Sequence, residues 1–178
     1  MKKVLLSLLL VATIFSCRNS FEAEHQQIVD LQTTIDEAEK VLLAIDTVET
    51  FTMVREFKQE LWRFGAKYDS LDKEAAFKMA DYYANKKSLY FLYDNYAVFV
   101  KEIDLSRKQL LNLKKDLDNN IIDQKKFEEY LITEKNMIVS LDEKIKNSAK
   151  SIVISMDRIK ASKVEVKEIL KKYKKEQD

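Results

Sequence analysis

Few residues of this sequence have the types and spacing needed for chemistry. The chain has one His and one Cys among 178 residues. Glu22 and His25 have the Glu-x-x-His spacing of di-iron helices, but that site needs a second such pair, which a single His excludes. One Cys excludes an internal disulfide and a metal site built from several Cys residues. We therefore expect no metal ion and no cofactor.

Other reactive groups resemble ordinary surface residues. Glu128 and Glu129 are adjacent on a highly charged predicted helix, and nothing marks them as a general acid and base. The single Gly cannot form a Gly-rich phosphate loop. The net charge of +1 argues against nucleic acid as a partner. We expect no catalytic residues and a protein that is not an enzyme.

The composition predicts an all-α fold. No Pro and one Gly are too few for the turns of a β-rich or α/β domain. Apolar residues recur at three- and four-residue intervals, which is the spacing of one helix face. Asp46 with Glu49 suits the start of a second helix, and Gly65 suits its end. The four predicted helices are Glu22–Ala44, Val48–Lys67, Leu71–Asp118 and Gln124–Lys175.

The last predicted helix carries the clearest pattern of the chain. Beside its main stripe of apolar residues, this helix has a second stripe that contains Ser148, Ser155 and Ser162. The small Ser side chains let a partner helix approach closely. Glu134 interrupts that stripe, and we expect it to set the register or to pair with a Lys. A sustained seven-residue repeat predicts a left-handed supercoil. The apolar residues that lie seven apart are Leu131, Ile138, Ile145, Ile152, Ile159, Val166 and Tyr173.

The connection lengths predict how the helices assemble. Only residues 119–122 join the two long helices, so we expect these to form a long antiparallel hairpin. We place the two shorter helices beside the first half of the third helix and the second half of the fourth. This elongated bundle has a four-helix section, which holds the N-terminus, and a two-helix extension that ends at the hairpin tip. A homodimeric coiled coil is the alternative.

The first residues are typical of a secretory signal peptide. Lys2 and Lys3 precede the mostly apolar segment Val4–Phe15, which is too short to span a bilayer. The following Ile14-Phe15-Ser16-Cys17 resembles a bacterial lipobox, although Phe15 is bulkier than the usual residue. The resemblance to bacterial lipoproteins implies cleavage after Ser16, a thioether-linked diacylglycerol on Cys17 and acylation of the new N-terminus.

This resemblance covers residues 1–17 only and divides the chain into three parts. Residues 1–16 are the cleaved signal peptide, 17–21 a short lipid-anchored linker, and 22–178 a single helical domain. Arg18 stands where an Asp would retain an enterobacterial lipoprotein at the inner membrane. The resemblance therefore favours the outer membrane, with the periplasmic side preferred to the cell surface.

Aromatic residues are concentrated in the third predicted helix. Residues this close together surround a helix, so some face away from the hairpin partner. One interpretation is that the two shorter helices bury them and leave the Tyr hydroxyls near solvent. The others are a partner-binding patch and a ligand cavity. The candidate patch residues are Tyr82, Tyr83, Tyr90 and Tyr93.

The C-terminal turns are basic, with seven Lys and two Glu in residues 160–175. Lys is favourable at a helix C-terminus, which explains such a run without a function. The alternative is contact with anionic lipid head groups, because the expected arrangement puts this end near the lipid anchor. Replacing these Lys by Gln then weakens liposome binding. The residues are Lys167, Lys171, Lys172, Lys174 and Lys175.

The sequence thus favours a lipid-anchored protein of the cell envelope with a non-enzymatic structural or interaction role. Its expected partners are the membrane, through the lipid anchor, and an unidentified protein, and it could also self-associate. The alternatives are a surface-exposed lipoprotein that binds a ligand or a host, and a periplasmic, chaperone-like client binder.

Overall fold

Five α-helices make up the computed structural model, which describes residues 21–64 and 71–175. They are α1 (Glu22–Leu43), α2 (Thr47–Phe64), α3 (Lys73–Ala84), α4 (Lys86–Asp118) and α5 (Gln124–Lys175). No β-strand occurs in these two ranges. The prediction of an all-α fold, with two shorter helices packed on a long antiparallel hairpin, is confirmed.

The seven-residue repeat of α5 forms the centre of the core. Every apolar residue of the stripe from Leu131 to Tyr173 is buried. The α4 residues Leu89, Leu110 and Leu117 are fully buried within the same core cluster. The hydroxyls of Ser88 and Ser155 are 2.6 Å apart, which confirms the expected close approach at the Ser stripe.

The prediction of one continuous third helix is wrong, because this helix is interrupted at Asn85. The Asn85 amide group donates hydrogen bonds to the carbonyl oxygens of Asp81 and Tyr82, at 2.9 and 3.3 Å. Its backbone N–H also bonds to the Tyr82 carbonyl, three residues back. These local bonds compete with the regular i to i−4 ladder, so α3 ends at Ala84 and α4 begins at Lys86.

Asp residues cap three of the helices. The Asp46 carboxylate accepts the Glu49 N–H at 2.8 Å, as predicted for the start of α2. Asp123 accepts the Lys126 N–H at 2.9 Å in α5. The cap of α3 is Asp72. Gly65 and the predicted end of the second helix at residue 67 lie outside the described residues. Each cap satisfies one unpaired backbone donor of a first helical turn.

The expected four-helix section is wrong, because α1 and α2 lie end to end. Ala44 after α1 keeps right-handed helical angles, with φ −73° and ψ −13°. Residues 44–46 include none with a positive φ, so this junction lacks the left-handed residue that often follows the end of a helix. α1 lies beside α4 and α5, and α2 beside the aromatic part of the hairpin. The result is a rod of three helices throughout.

We predict that the buried α5 stripe dominates the stability of this rod. Ile145 has 0% of its surface exposed, whereas Val153 on the same helix is 62% exposed. Ile145→Ala should lower the free energy of unfolding by about 2–5 kcal/mol, because it leaves a cavity. Val153→Ala is the matched control and should change it by less than about 0.5 kcal/mol. Urea unfolding followed by circular dichroism measures both, and equal effects would contradict the packing.

Candidate functional site

The predicted processing site lies outside the part of the chain that the structure describes. Ser16 and Cys17 precede Phe21, the first described residue. The position at which the chain enters the folded rod is nevertheless defined by α1. The end of the rod at which α1 begins is therefore the end that an anchor at Cys17 would lie near.

The first turn of α1 lies against the hairpin tip, which we define as residues 119–122. The His25 Nε2 atom is 2.6 Å from a carboxylate oxygen of Asp118, at the end of α4. Gln124, at the start of α5, donates a hydrogen bond of 3.3 Å to Glu24. The N-terminus of the domain was expected at the other end of the bundle, and that expectation is wrong. His25 thus has a structural role, tying α1 to α4.

The opposite end of the rod, which we call the base, is formed by Asp72 and the last turns of α5. The Tyr173 hydroxyl donates to the Asp72 carboxylate at 2.7 Å and accepts the Asp72 N–H at 3.1 Å. Lys172 lies 3.8 Å from the same carboxylate. α5 has 52 residues, so the base lies about 78 Å from the tip at 1.5 Å per residue.

The Lys-rich segment therefore lies at the base, far from the point where α1 begins. Lys167, Lys171 and Lys172 are exposed, and the side chains of Lys174 and Lys175 lie outside the described residues. The reason for expecting these lysines at the membrane was their proximity to the N-terminus, and that premise is wrong. Neighbouring Lys160 and Lys163 form ion pairs of 2.9 and 2.8 Å with acidic residues of α2.

The four candidate patch residues do not form one exposed surface. Tyr82 and Tyr83 are core residues, with 2% and 5% of their surface exposed, and both rings pack edge-on against Phe57 of α2. Tyr90 is half-buried, and Tyr93 is exposed. This distribution favours the core interpretation for Tyr82 and Tyr83 and leaves Tyr93 as the accessible member.

The accessible aromatic group has a cation beside it. The Lys58 ammonium lies 4.6 Å from the centre of the Tyr93 ring and 5.6 Å from that of Tyr90. Phe51 packs edge-on against Tyr93, with ring centres 5.1 Å apart. These contacts fasten α2 to α4. Packing between α2 and α4 is therefore enough to explain why aromatic residues occur at these positions.

Burial shifts the ionisation of two groups near this aromatic core. Burial raises the pKa of Tyr82. Burial also raises the pKa of Glu60, and the hydrogen bond from the Tyr83 hydroxyl, at 3.1 Å, opposes that shift. A shifted carboxyl can serve in acid–base chemistry, but Glu60 accepts a hydrogen bond from the core residue Tyr83, and two charged groups near it, Glu56 and Lys163, form an ion pair with each other. We assign it a structural role.

Two clefts lie where the helices break. A cleft of about 450 Å³ is lined by Ile45 and Asp46 between α1 and α2, and by Met156 on α5. A second, of about 340 Å³, is lined by Asn85 and Arg158. Both breaks thus face residues between 149 and 162 of α5. The periodicity of the sequence did not predict that the two breaks lie near each other. The signal that could have located the second break was Asn85, a residue whose side chain competes for backbone hydrogen bonds.

Residues 21–64 and 71–175 contain neither a metal-binding cluster nor a membrane-spanning helix. No group of three or more His, Cys, Asp and Glu side chains there is placed to hold a metal ion. None of the described helices has a stretch apolar enough to cross a bilayer.

Glu134 lies in the second stripe of α5, fourteen residues before Ser148, and the structure corrects its expected partner. No Lys of the described chain forms an ion pair with it, and its Oε2 atom is buried without a hydrogen-bond partner there. Burial raises the pKa of Glu134 above its ordinary value of 4.5. Such a carboxyl binds its proton more tightly in the folded state, so its stabilising effect is lost as the pH rises through the folded pKa.

We predict that Glu134→Gln removes this loss of stability at higher pH. Relative to the wild-type protein, the variant should gain stability as the pH rises above 4.5, the ordinary pKa of a Glu, because the charged form of Glu134 is the one that burial disfavours. Urea midpoints across this range measure the difference. Glu143→Gln, at an exposed position of the same helix, is the matched control. Parallel curves for wild type and Glu134→Gln would contradict the prediction.

Comparison with known proteins identifies no relative. No protein-family model matches the chain, and no curated protein sequence or solved structure matches it significantly. A function has therefore to be inferred from the residues and geometry of the chain itself.

Proposed function

We propose that this chain is a lipid-anchored, non-enzymatic protein of the cell envelope whose helical rod holds a partner away from the membrane. The lipobox-like residues 14–17 support the anchor. The observation that carries the proposal is the separation of the two ends. The chain enters the rod at the tip, where His25 contacts Asp118, and α5 ends at the base about 78 Å away.

In this proposal the base is the membrane-distal end and the partner-binding surface. It exposes the apolar side chain of Val164, with Lys167 and Lys171 about one and two turns further along the same face of α5, and Phe77 of α3 is exposed as well. Apolar groups near exposed lysines suit a protein partner with an acidic surface. The Lys-rich segment then faces that partner, and the outer membrane with the rod in the periplasm is the location that we favour.

The anchor is tested by changing the thiol that carries it. Cys17→Ser should abolish incorporation of radiolabelled palmitate and release the protein from the membrane fraction, because a hydroxyl does not replace the thiol that forms the thioether. Ser16→Ala is the matched control, since it keeps a small residue before Cys17, and it should remain labelled. A Cys17→Ser protein that is still labelled and sediments with membranes would contradict the anchor.

The side of the membrane is tested by protease treatment of intact and lysed cells. A periplasmic rod should be digested only after lysis, because the outer membrane excludes the protease. Digestion on intact cells would instead place it on the surface and favour a host-binding role. Suppression of client aggregation by purified protein would favour the chaperone-like alternative. All three roles stay predictions.

A further inference from the structure

The hairpin tip is a structured turn that presents an apolar side chain to solvent. Asn120 has a φ of 52°, the left-handed conformation that ends many helices. The N–H groups of Ile121 and Asn120 bond to the carbonyls of Asp116 and Leu117, at 2.8 and 3.0 Å. These two bonds form a Schellman motif. The outward position of Ile121 is therefore held by the backbone.

The exposure of Ile121 is not explained by folding. In a Schellman motif the residue at this position often packs against an apolar side chain of the last helical turn. Here the corresponding residue is Asp116, and 66% of the Ile121 surface is exposed. Neighbouring Ile122 and Phe21 pack on the core from the same end. Ile121 is thus the apolar group that the tip leaves uncovered.

Two cations beside the tip are also unfavourable for folding. Lys125 and Lys126 lie in the first turn of α5, which contains no acidic residue. The helix dipole disfavours positive charge at this end. Neither ammonium has an ion-pair partner in the part of the chain that is described. Several carboxylates nearby have other contacts: Asp118 with His25, Asp123 with the Lys126 N–H, and Glu24 and Glu128 with Gln124. Glu129 follows Lys125 by one helical turn, and no ion pair joins their side chains in the described structure.

The proposed anchor lies close to this surface. Four residues separate Cys17 from Glu22, and the five Cα-to-Cα steps between them span at most about 18 Å when fully extended. Glu22 begins α1, whose first turn lies against the tip. A lipid attached to Cys17 therefore brings the membrane to the tip and leaves the base far from it.

We propose that the hairpin tip is a second membrane contact. Ile121 enters the boundary between head groups and acyl chains, and Lys125 and Lys126 face anionic phospholipid head groups. This inference rests on the proposed anchor at Cys17. The contact holds the rod end-on, so that α5 projects from the bilayer and the base stays in water.

The test uses residues 17–178, in which Cys17 is the only thiol. The thiol is coupled to a maleimide lipid in vesicles of phosphatidylcholine and phosphatidylglycerol, which replaces the cellular anchor. Tryptophan is introduced by Ile121→Trp at the tip or Val164→Trp near the base. Both positions are exposed, 66% and 71%, so neither change disturbs the core. Quenching by brominated lipid is measured, and the unsubstituted chain corrects for Trp62.

We expect strong quenching of the Ile121→Trp chain and none of the Val164→Trp chain. Adding Lys125→Gln and Lys126→Gln to Ile121→Trp should weaken the contact equilibrium about 30-fold, at about 1 kcal/mol per Lys near an anionic surface and 1.4 kcal/mol per factor of ten. Lys167→Gln with Lys171→Gln removes the same charge at the base and should leave the quenching unchanged.

Each other outcome overturns the inference. Quenching at 164 alone would make the base the membrane contact, quenching at both positions would mean a rod lying flat, and quenching at neither would mean a tip that stays in water. Because the coupling is chemical, these results do not depend on acylation in cells. The Cys17→Ser experiment tests that anchor separately, so the two failures are distinguishable.

Discussion

The seven-residue apolar repeat of α5 is the constraint on which the rest of the structure depends. Its residues from Leu131 to Tyr173 are buried along a helix of 52 residues. A stripe of that length is covered only by other helices laid along it. α1, α3 and α4 each pack directly on α5, and α2 is fastened mainly through the aromatic contacts to α3 and α4. The length of α5 therefore sets the length of the molecule.

The continuity of α5 also explains how the rod accommodates two breaks at one level. The α1–α2 junction faces residues between 149 and 160 of α5, and Asn85 faces Arg158 and Ser162. When two helices of a three-helix bundle are interrupted at the same level, the bundle stays straight there only if the third helix is continuous. The polar side chains that interrupt the stripes of the core, Glu134 and the buried Ser148 and Ser155, lie on that same helix. The buried apolar residues around these polar side chains keep α5 packed against the other helices.

The two ends of the rod differ in chemistry. The tip combines a structured turn, an exposed Ile and two unpaired Lys residues with the start of α1. The base combines the Tyr173–Asp72 contact with exposed apolar and basic groups. The proposed anchor and the proposed partner surface follow from this difference between the ends, since the four residues between Cys17 and Glu22 can reach the tip but not the base.

The amino-acid sequence by itself determined the all-α class, the two stripes of α5 and the long hairpin, because helix periodicity and short connections are local properties. It left open which Tyr residues are buried, since eight aromatic residues within 23 positions surround a helix and burial depends on where α2 lies. Only the tertiary structure decided the direction of α2. The α1–α2 junction has no left-handed residue, whereas Asn120 at the tip has a positive φ and the chain reverses there. Because α2 continues away from the tip, the N-terminus of the domain lies at the tip.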